Sequence, residues 1–485
     1  MSNPPQAPVP MKGNATQART TGEGAGLARR LGLFDATMIV MGGIVGSGIF
    51  INPYVVARQV HTPLMILGAW TAGGIIALGG AFVYAELTAL HPDVGGQYAY
   101  FREAYHPGVA FIYGWALLLV TQTGGMAAVA VTFAHYFVEL TRVPLSDGLL
   151  AGLALGILTL VNCLGVKQGS AVQSTLMVLK IFAIAAMVGA GWLLVRGPHL
   201  DLHPIIDRPI SVDLFASMGA AMTPVLFAYG GWQTACFIAG EVIAPEKNMP
   251  RGLVVGVVGV IVLYLSVNWI CVRDLGPQGL ASTTTPATAV MRLALGERGA
   301  MLIAAGIAVS TLGFLSQSIL TAPRVYFAMA KDGVFFKSVA WIHPRTRVPV
   351  VAIALQGVWA MVIALTGRYD QILNYVVSTD FIFFGLTATC LFVFRRREAR
   401  AAGVSREGDS THARRLPRMP GHPVTTLLFI ASCWLVVIGT IYKYPGNSAV
   451  GLGIVLAGIP VYFLWGRKAA AANVIAGGNL GSGSV

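Results

Sequence analysis

The sequence predicts an all-α membrane protein with twelve transmembrane helices, of which the first and the sixth are interrupted near their middle. Of its 485 residues, 55% are hydrophobic and only 11% are charged, whereas a soluble domain carries about 25% charged residues. The 58 glycines and 25 prolines suit membrane helices, because neighbouring helices can satisfy the backbone groups that such residues leave unpaired. A soluble protein is therefore not expected.

Each helix is predicted from an apolar run of the length that a bilayer requires, about 20 residues. Polar joints, or joints rich in glycine and proline, separate these runs, and the third run is long enough to tilt or to extend beyond the membrane. The twelve predicted spans are residues 34–59, 64–90, 108–140, 147–163, 171–195, 213–241, 252–273, 299–323, 348–366, 370–394, 424–442 and 447–466.

The distribution of positive charge predicts how these helices are oriented. With both termini in the cytoplasm, the cytoplasmic tails and loops contain 23 Lys and Arg residues, the outer loops contain 9, and Lys180 lies inside a span. This asymmetry follows the positive-inside rule. The net charge of +13 thus reflects membrane topology, and no nucleic-acid partner is expected. The eight arginines between Arg395 and Arg418 would also attract anionic membrane lipids.

Composition further divides the chain into five regions. Two repeats, of about 34–195 and 213–394, are predicted to form the core of ten spans. The five regions are a disordered cytoplasmic tail (1–30), the core with spans 1–10 (31–394), a basic cytoplasmic loop (395–423), spans 11 and 12 (424–466) and a second disordered tail (467–485).

Glycine clusters interrupt spans 1 and 6. The run GGIVGSGIF places four glycines, from Gly42 to Gly48, near the middle of span 1, and the run FAYGGW places Gly230 and Gly231 near the middle of span 6. Each glycine costs about 1 kcal/mol relative to alanine in a helix interior, so the helices are expected to unwind there. Breaks at matching positions of spans 1 and 6 predict two inverted five-helix repeats with a binding site at the membrane midplane.

An interrupted helix exposes backbone N–H groups at one new end and carbonyl groups at the other. The N–H groups of Ser47 and Gly48 can bind an α-carboxylate, while the carbonyl groups of Ile44 and Phe227 can accept hydrogen bonds from an α-ammonium group. This pattern fits a zwitterion. Close helix packing through small residues is the alternative interpretation, whereas a phosphate-binding loop is excluded because no strand precedes the run and no Lys-Ser/Thr pair follows it.

The runs GGIVGSGIF, FAYGGW and GEVIAPEKNMP together resemble those of the amino acid, polyamine and organocation (APC) superfamily, and especially its L-type amino acid transporter branch. With YAELTALHPDVGGQYAY, NCLGVKQGSAVQ and PRVYFAMAKDG, the resemblance covers roughly residues 34–466. It implies a leucine-transporter fold that works by alternating access, with Phe227 as a gate over the substrate. The residues that the resemblance places against the amino acid are Ile44, Gly46, Ser47, Gly48, Phe227, Ala228 and Gly230.

Lys180 is expected to be buried at depth in span 5. It lies about nine residues, or roughly 14 Å, from the nearer end of the span, which is too far for the side chain to reach the interface. In the family, a lysine at this place occupies the position where sodium-coupled relatives hold a cation, so the resemblance argues against sodium coupling. A structural lysine is the alternative. The expected neighbours are the span 1 carbonyl groups, Tyr229, and one of Ser310, Thr311 or Ser316.

Asp380 is a second ionisable residue inside a predicted span, about ten residues into span 10. Its carboxyl group can face a substrate path, pair with a basic group or stay protonated, and the sequence leaves these alternatives open. It is therefore a candidate for gating or coupling, together with Tyr229, Lys180 and Phe227.

These features predict a secondary active transporter, namely a sodium-independent exchanger of neutral amino acids. A proton-coupled symporter that uses Lys180 or Asp380 is the main alternative. A carrier of polyamines or cationic amino acids is disfavoured because no acidic residue adjoins either break in the sequence. A transport-inactive amino acid sensor would have the same pocket.

Enzymes, cofactors and covalent partners are not expected. The spans carry no nucleophile with a base, and the five scattered cysteines form no CxxC pair or metal-ligand spacing. Eukaryotic members of the branch bind a single-span glycoprotein through a cysteine in the loop after span 3. The corresponding run here, TRVPLSD, contains no cysteine, so no covalent heavy-chain partner is expected.

Overall fold

Two broken helices run through the centre of a helical bundle. The structure, a computed structural model, describes residues 31–92, 95–164, 167–195, 201–346, 348–366, 369–404 and 417–478. The predicted amino-terminal tail and the arginines Arg406, Arg414 and Arg415 lie outside these residues.

The described residues form sixteen α-helices. A π-helical turn, Leu117–Thr121, joins α5 to α6, and two 3₁₀ helices, Trp232–Glu241 and Lys337–Ala340, follow α9 and α12. The α-helices are α1 (Leu33–Ile44), α2 (Gly48–Ala57), α3 (Pro63–Leu90), α4 (Gln97–Ala104), α5 (Pro107–Ala116), α6 (Gln122–Thr141), α7 (Asp147–Cys163), α8 (Lys167–Leu194), α9 (Val212–Tyr229), α10 (Pro245–Ser282), α11 (Pro286–Thr321), α12 (Pro323–Lys331), α13 (Val350–Thr366), α14 (Tyr369–Val404), α15 (Val424–Lys443) and α16 (Pro445–Gly478).

The prediction of twelve membrane helices is confirmed for the described part of the chain. Nine helical stretches are long and apolar enough to cross a bilayer, and α1 with α2 forms a tenth that bends by 41°. The apolar helices α7 and α13, of 17 residues each, supply the remaining two. All twelve coincide with predicted spans.

Several helices extend beyond their predicted limits. Helix α10 continues past a kink at Gly276, and α11 begins before a kink at Gly296; both glycines have a φ of 65°. The added turns are polar, so a search for apolar runs misses them, as it misses the short helices α4 and α12. Helix α14 reaches Val404 inside the predicted basic loop, and α16 reaches Gly478 inside the predicted tail, because both extensions are rich in alanine, a strong helix former.

Local capping explains where many of the apolar helices begin. The Thr62 and Ser211 side chains accept hydrogen bonds from backbone N–H groups in the first turns of α3 and α9, and Ser146 does the same for α7. Proline follows Thr62 as the first residue of α3, a position where its missing N–H has no intrahelical partner to lose. These caps fix the register in which each helix enters the bundle.

Polar contacts close the bundle at both ends. At the end where α1 begins, called here the Leu31 end, the Leu31 N–H donates to the Glu241 carbonyl at 3.1 Å, and the buried Arg324 Nε lies 3.2 Å from Glu241 Oε1. Glu86 and Arg395 form a two-point ion pair at 2.6 and 2.7 Å on the same side. The opposite end, called the His61 end, carries an ion-pair cluster of His61, Asp207, Arg208 and Asp213.

Candidate functional site

The first break separates α1 from α2. Helix α1 ends at Ile44, and the Gly46 N–H turns back to the Ile44 carbonyl at 2.8 Å. Ser47 then caps α2. The first N–H groups of α2 have no intrahelical partner, and the helix dipole makes this end electropositive. The Ser47 Oγ is buried and has no hydrogen-bond partner in the described part of the chain, so this helix end is suited to bind an anion.

The second break follows α9 and is held open by side chains. The Gly230 N–H still bonds to the Leu226 and Phe227 carbonyls at 2.9 and 3.2 Å, but Gly231 adopts a φ of 115°, which a residue with a side chain rarely adopts. The Gly231 N–H donates to Gln233 Oε1 at 3.0 Å, and its carbonyl accepts from Thr234 Oγ1 at 2.8 Å. The unwound turn is therefore a defined structure.

The two breaks are in direct contact. A Cβ atom on Gly48 would lie 2.7 Å from the Ala228 Cα, and one on Gly231 would overlap the Gly43 carbonyl. Asn52 Nδ2 of α2 also donates to the Pro224 carbonyl of α9 at 2.6 Å. The glycines of both runs thus permit backbone contact between the broken helices, as the packing interpretation requires, and the binding interpretation stays a prediction.

A cavity lies at this contact. All seven residues assigned to the substrate by resemblance line it. The π turn, α6, α11 and α14 also contribute residues to its wall. The seven residues are Ile44, Gly46, Ser47, Gly48, Phe227, Ala228 and Gly230.

Tyr264 of α10 connects the carbonyl groups at the two breaks, a contact that the sequence analysis did not identify. Its Oη lies 3.1 Å from the Ile44 carbonyl oxygen and 3.1 Å from the Ala228 carbonyl oxygen. The hydroxyl has a single proton and donates to one carbonyl at a time. Because the Ile44 carbonyl also accepts from Gly46, a substrate ammonium group at Ile44 would share that oxygen or displace Tyr264 towards Ala228.

Lys180 lies behind the first break. Its side chain is 3% exposed, and Nζ donates to the Val45 carbonyl at 2.5 Å, which is the contact with span 1 that the sequence led us to expect. Among the described contacts, none joins Nζ to the three hydroxyl candidates. Thr311 donates instead to the Ile307 and Ala308 carbonyls.

Tyr229 does not line the cavity and is not in the described contacts of Lys180. Its ring packs against Trp70 and Tyr264, with centroid distances of 5.8 and 5.0 Å. The phenol lies against α3, where a Cβ atom on Gly74 would be 3.2 Å from its oxygen. A role in gating would therefore have to act through this aromatic cluster.

Asp380 is brought to the cavity from α14 and is the one charged side chain among the described lining residues. It lies 152 residues from Ala228 in the sequence, so no local motif connects it to either break. The Thr121 side chain lies beside its carboxyl group, and no lysine, arginine or histidine in the described ranges lies within ion-pair distance of it. The absence of acids next to the breaks in the sequence thus does not extend to the cavity.

The charged lining is a single carboxylate, and the described residues contain no cluster of three or more His, Cys, Asp or Glu that could hold a metal ion. Sequence reasoning left open whether Asp380 faces a substrate path, and it missed Thr121 and Tyr264 as neighbours of the breaks. A signal was present only for Asp380, as an acid in an apolar run.

Comparisons with known proteins agree with this architecture. Residues 31–465 match the family described as amino acid permease. The chain is similar to the large neutral amino acids transporter small subunit 2 of Homo sapiens, with 28% identity over 463 residues that cover 93% of this chain and 84% of the relative. It is also similar to the serine/threonine exchanger SteT of Bacillus subtilis (strain 168), with 30% identity over 448 residues that cover 91% of this chain and 98% of the relative. The Asc-type amino acid transporter 1 of Mus musculus is 28% identical over 451 residues, 91% of this chain and 82% of the relative.

Proposed function

The chain belongs to the amino acid permease family, and from this premise we propose that it is a sodium-independent exchanger of neutral amino acids that works by alternating access. The names of its relatives support the substrate class and exchange, since they include transporters of neutral amino acids and a serine/threonine exchanger. Family membership also supports the leucine-transporter fold and a multi-pass membrane protein.

The observation that carries this proposal is the cavity between two helix ends of opposite polarity. The Ser47 and Gly48 N–H groups and the Ser47 hydroxyl bind the α-carboxylate at the electropositive start of α2. The Ile44 and Phe227 carbonyls accept hydrogen bonds from the α-ammonium group, and Tyr264 adjusts by donating to Ala228. Phe227 lines the cavity and serves as the gate.

Lys180 takes the place of a coupling cation in this mechanism. Its ammonium group holds the Val45 carbonyl at the end of α1, where a sodium ion would otherwise neutralise carbonyl oxygens. A fixed cation supplies this charge in every conformational state, so no ion gradient is needed to bind substrate.

Alternating access then requires the contacts at the two bundle ends to open in turn. At the Leu31 end, the Leu31–Glu241 and Arg324–Glu241 contacts tie the start of α1 to the segment after α9. Because these elements carry both breaks, separating them would open the cavity on this side. If the protein changes between its two open states only when an amino acid occupies the cavity, transport is an exchange of one amino acid for another.

Proton-coupled symport is a second candidate, because the Asp380 carboxyl group lines the cavity and could bind a proton in one of the two states. An ionised Asp380 would also attract the positively charged side chain of a cationic amino acid.

The proposed location is the cell membrane, with both termini and the Leu31 end in the cytoplasm, as the distribution of Lys and Arg indicates. The human relative is named as a small subunit, but the loop between α6 and α7 of this chain has no cysteine. We therefore propose that the chain works without a covalent heavy-chain partner, with amino acids and membrane lipids as its ligands and no cofactor.

The test is uptake of a labelled neutral amino acid into proteoliposomes that contain the purified chain. Uptake that needs internal amino acid and is indifferent to sodium and proton gradients is the expected result. Uptake into empty vesicles that is driven by a proton gradient would replace exchange by symport. Binding without flux would identify a sensor.

A further inference from the structure

The cavity has two chemically different walls. One wall is formed by the breaks in α1–α2 and α9, and it presents backbone groups and Ser47. The other wall is formed by the π turn, α6, α11 and α14. It presents apolar side chains, among them Val129, Phe314 and Val376, together with the polar side chains of Thr121, Gln122 and Asp380. If the breaks hold the amino acid backbone, as proposed above, the substrate side chain faces the second wall.

Asp380 gives the second wall a strong hydrogen-bond acceptor in mostly apolar surroundings. An ionised carboxylate only accepts hydrogen bonds, and a protonated carboxyl group keeps acceptor capacity. A buried charge without a partner is unfavourable. The buried Thr121 side chain lies beside the carboxyl group and offers only one donor. Gln122 also lines this wall, but no described contact joins its amide to Asp380. The Asp380 carboxyl group therefore keeps acceptor capacity that a donor on the substrate can fill.

We propose that Asp380 is a specificity-determining residue that selects amino acids whose side chain donates a hydrogen bond. Its carboxyl oxygen accepts that bond from the side chain of the substrate. An isosteric substrate with a methyl group in place of the donor leaves the carboxyl group without this partner. This inference rests on the proposed function for the position of the substrate backbone, and it adds a substrate class within the amino acids.

Threonine and valine form the matched substrate pair, because they differ by a hydroxyl group in place of a methyl group. Binding of each to the purified full-length chain in detergent is measured by calorimetry, and exchange of each is measured in proteoliposomes. The wild type is expected to bind threonine roughly 10- to 100-fold more tightly than valine, the ratio typical of a hydrogen bond to a charged group. Lysine as a third ligand distinguishes a preference for a hydroxyl group from a preference for an ammonium group.

Two variants locate the effect. Asp380→Leu removes every acceptor at similar volume and is expected to abolish or reverse the threonine preference while valine still binds. Asp380→Asn keeps one acceptor oxygen, so it is expected to retain part of the threonine preference and to lose any lysine binding. Asp201→Asn, an acid-to-amide change at an exposed loop residue, is the control and should match the wild type.

Three results would overturn the proposal. Equal binding of threonine and valine by the wild type would do so while leaving amino acid exchange intact, and so would a threonine preference that survives in Asp380→Leu. Failure of any amino acid to bind would reject the proposed function and this inference together. Preferred binding of threonine without flux would keep the inference and reject the exchanger.

Discussion

The Lys180 Nζ lies 2.5 Å from the Val45 carbonyl oxygen, and this hydrogen bond joins the middle of α8 to the broken end of α1. Lys180 is separated from Val45 by 135 residues, yet it meets the first carbonyl beyond the last residue of α1. The ammonium group thus stabilises a helix end that the glycine run leaves open, and it does so from outside the cavity, where a substrate does not displace it.

The first prediction concerns this lysine. Lys180→Met is expected to lower the exchange rate at least about tenfold, because the Val45 carbonyl loses its donor, and an unpaired buried acceptor costs about 1–3 kcal/mol. The same unpaired carbonyl also lowers stability, but the desolvation cost of the buried ammonium group disappears with it, so the unfolding temperature in detergent is expected to fall less than the loss of the hydrogen bond alone would cause. Exchange in proteoliposomes and unfolding followed by fluorescence separate the two effects.

Lys337→Met is the matched control, because it makes the same substitution at an exposed lysine. It should exchange as the wild type does. If Lys180→Met exchanged amino acids at the wild-type rate, a cation would not be needed at this place.

The site was predictable where local chemistry decides the structure. The glycine runs raise the free energy of a continuous helix wherever they occur, so the breaks at Ser47 and Gly230 could be predicted without knowing the neighbours. The seven residues assigned by resemblance lie at or beside these breaks and line the cavity. Apolar run length likewise predicts the membrane helices, because the bilayer sets that length independently of packing.

The remainder depends on which face of each helix points inward. Asp380 lies on α14 and Thr121 on the π turn next to α6, and the sequences of these elements do not by themselves show which face points to the cavity. Tyr264 looks like any membrane tyrosine until its Oη is placed between two carbonyls. Tyr229 shows the reverse case, since its place in the FAYGGW run suggested the site, whereas its ring packs against Trp70 and Tyr264.

The second prediction concerns the hydroxyl group of Tyr264. Tyr264→Phe removes the donor shared by the Ile44 and Ala228 carbonyls, and it is expected to destabilise the protein by about 0.5–1.5 kcal/mol, the usual net value of one hydrogen bond. Exchange should also slow, because the two breaks lose a common partner. Thermal unfolding and initial exchange rates are the measurements.

A second buried tyrosine supplies the control. The Tyr326 hydroxyl is buried and has no hydrogen-bond partner in the described ranges, so Tyr326→Phe removes an unsatisfied group and should leave stability unchanged or raised. Equal destabilisation by the two substitutions would mean that the hydrogen bonds of Tyr264 are not the cause.

The third prediction is a pH dependence at the His61 end. Asp207 Oδ2 lies 2.8 Å from Arg208 Nη2 and 2.6 Å from His61 Nδ1, so the loop before α9 is tied to the turn before α3. Hydrogen bonds from Arg208, and then from His61, lower the pKa of Asp207 to about 2. The unfolded carboxyl group has a pKa of about 3.9, so its stabilisation is complete above about pH 4 and is lost as the pH falls towards 2.

Unfolding temperatures of the wild type and of Asp207→Asn, measured from pH 7 downwards, test this sign. The difference between the two proteins should stay constant to about pH 5 and shrink below about pH 4. A difference that grows as the pH falls through this range would mean that Asp207 is not stabilised as an anion.

The last prediction uses two adjacent glycines of α6 that face different surroundings. Gly125 lines the cavity, and a Cβ atom there would meet no atom within 4 Å. A Cβ atom on Gly124 would instead lie 2.7 Å from the Cγ2 atom of Val376 on α14. Gly125→Val is therefore expected to fold normally and to exclude large neutral amino acids at least about tenfold more than alanine or serine, since it fills space that a side chain needs. Gly124→Ala should instead lower the unfolding temperature, because overpacking between α6 and α14 typically costs about 1–3 kcal/mol.

Competition of unlabelled amino acids of increasing size against labelled serine, together with thermal unfolding of both variants, measures the two effects. Unchanged size selectivity in Gly125→Val would mean that the substrate side chain does not approach α6, and the assignment of the second wall to the side chain would then be wrong.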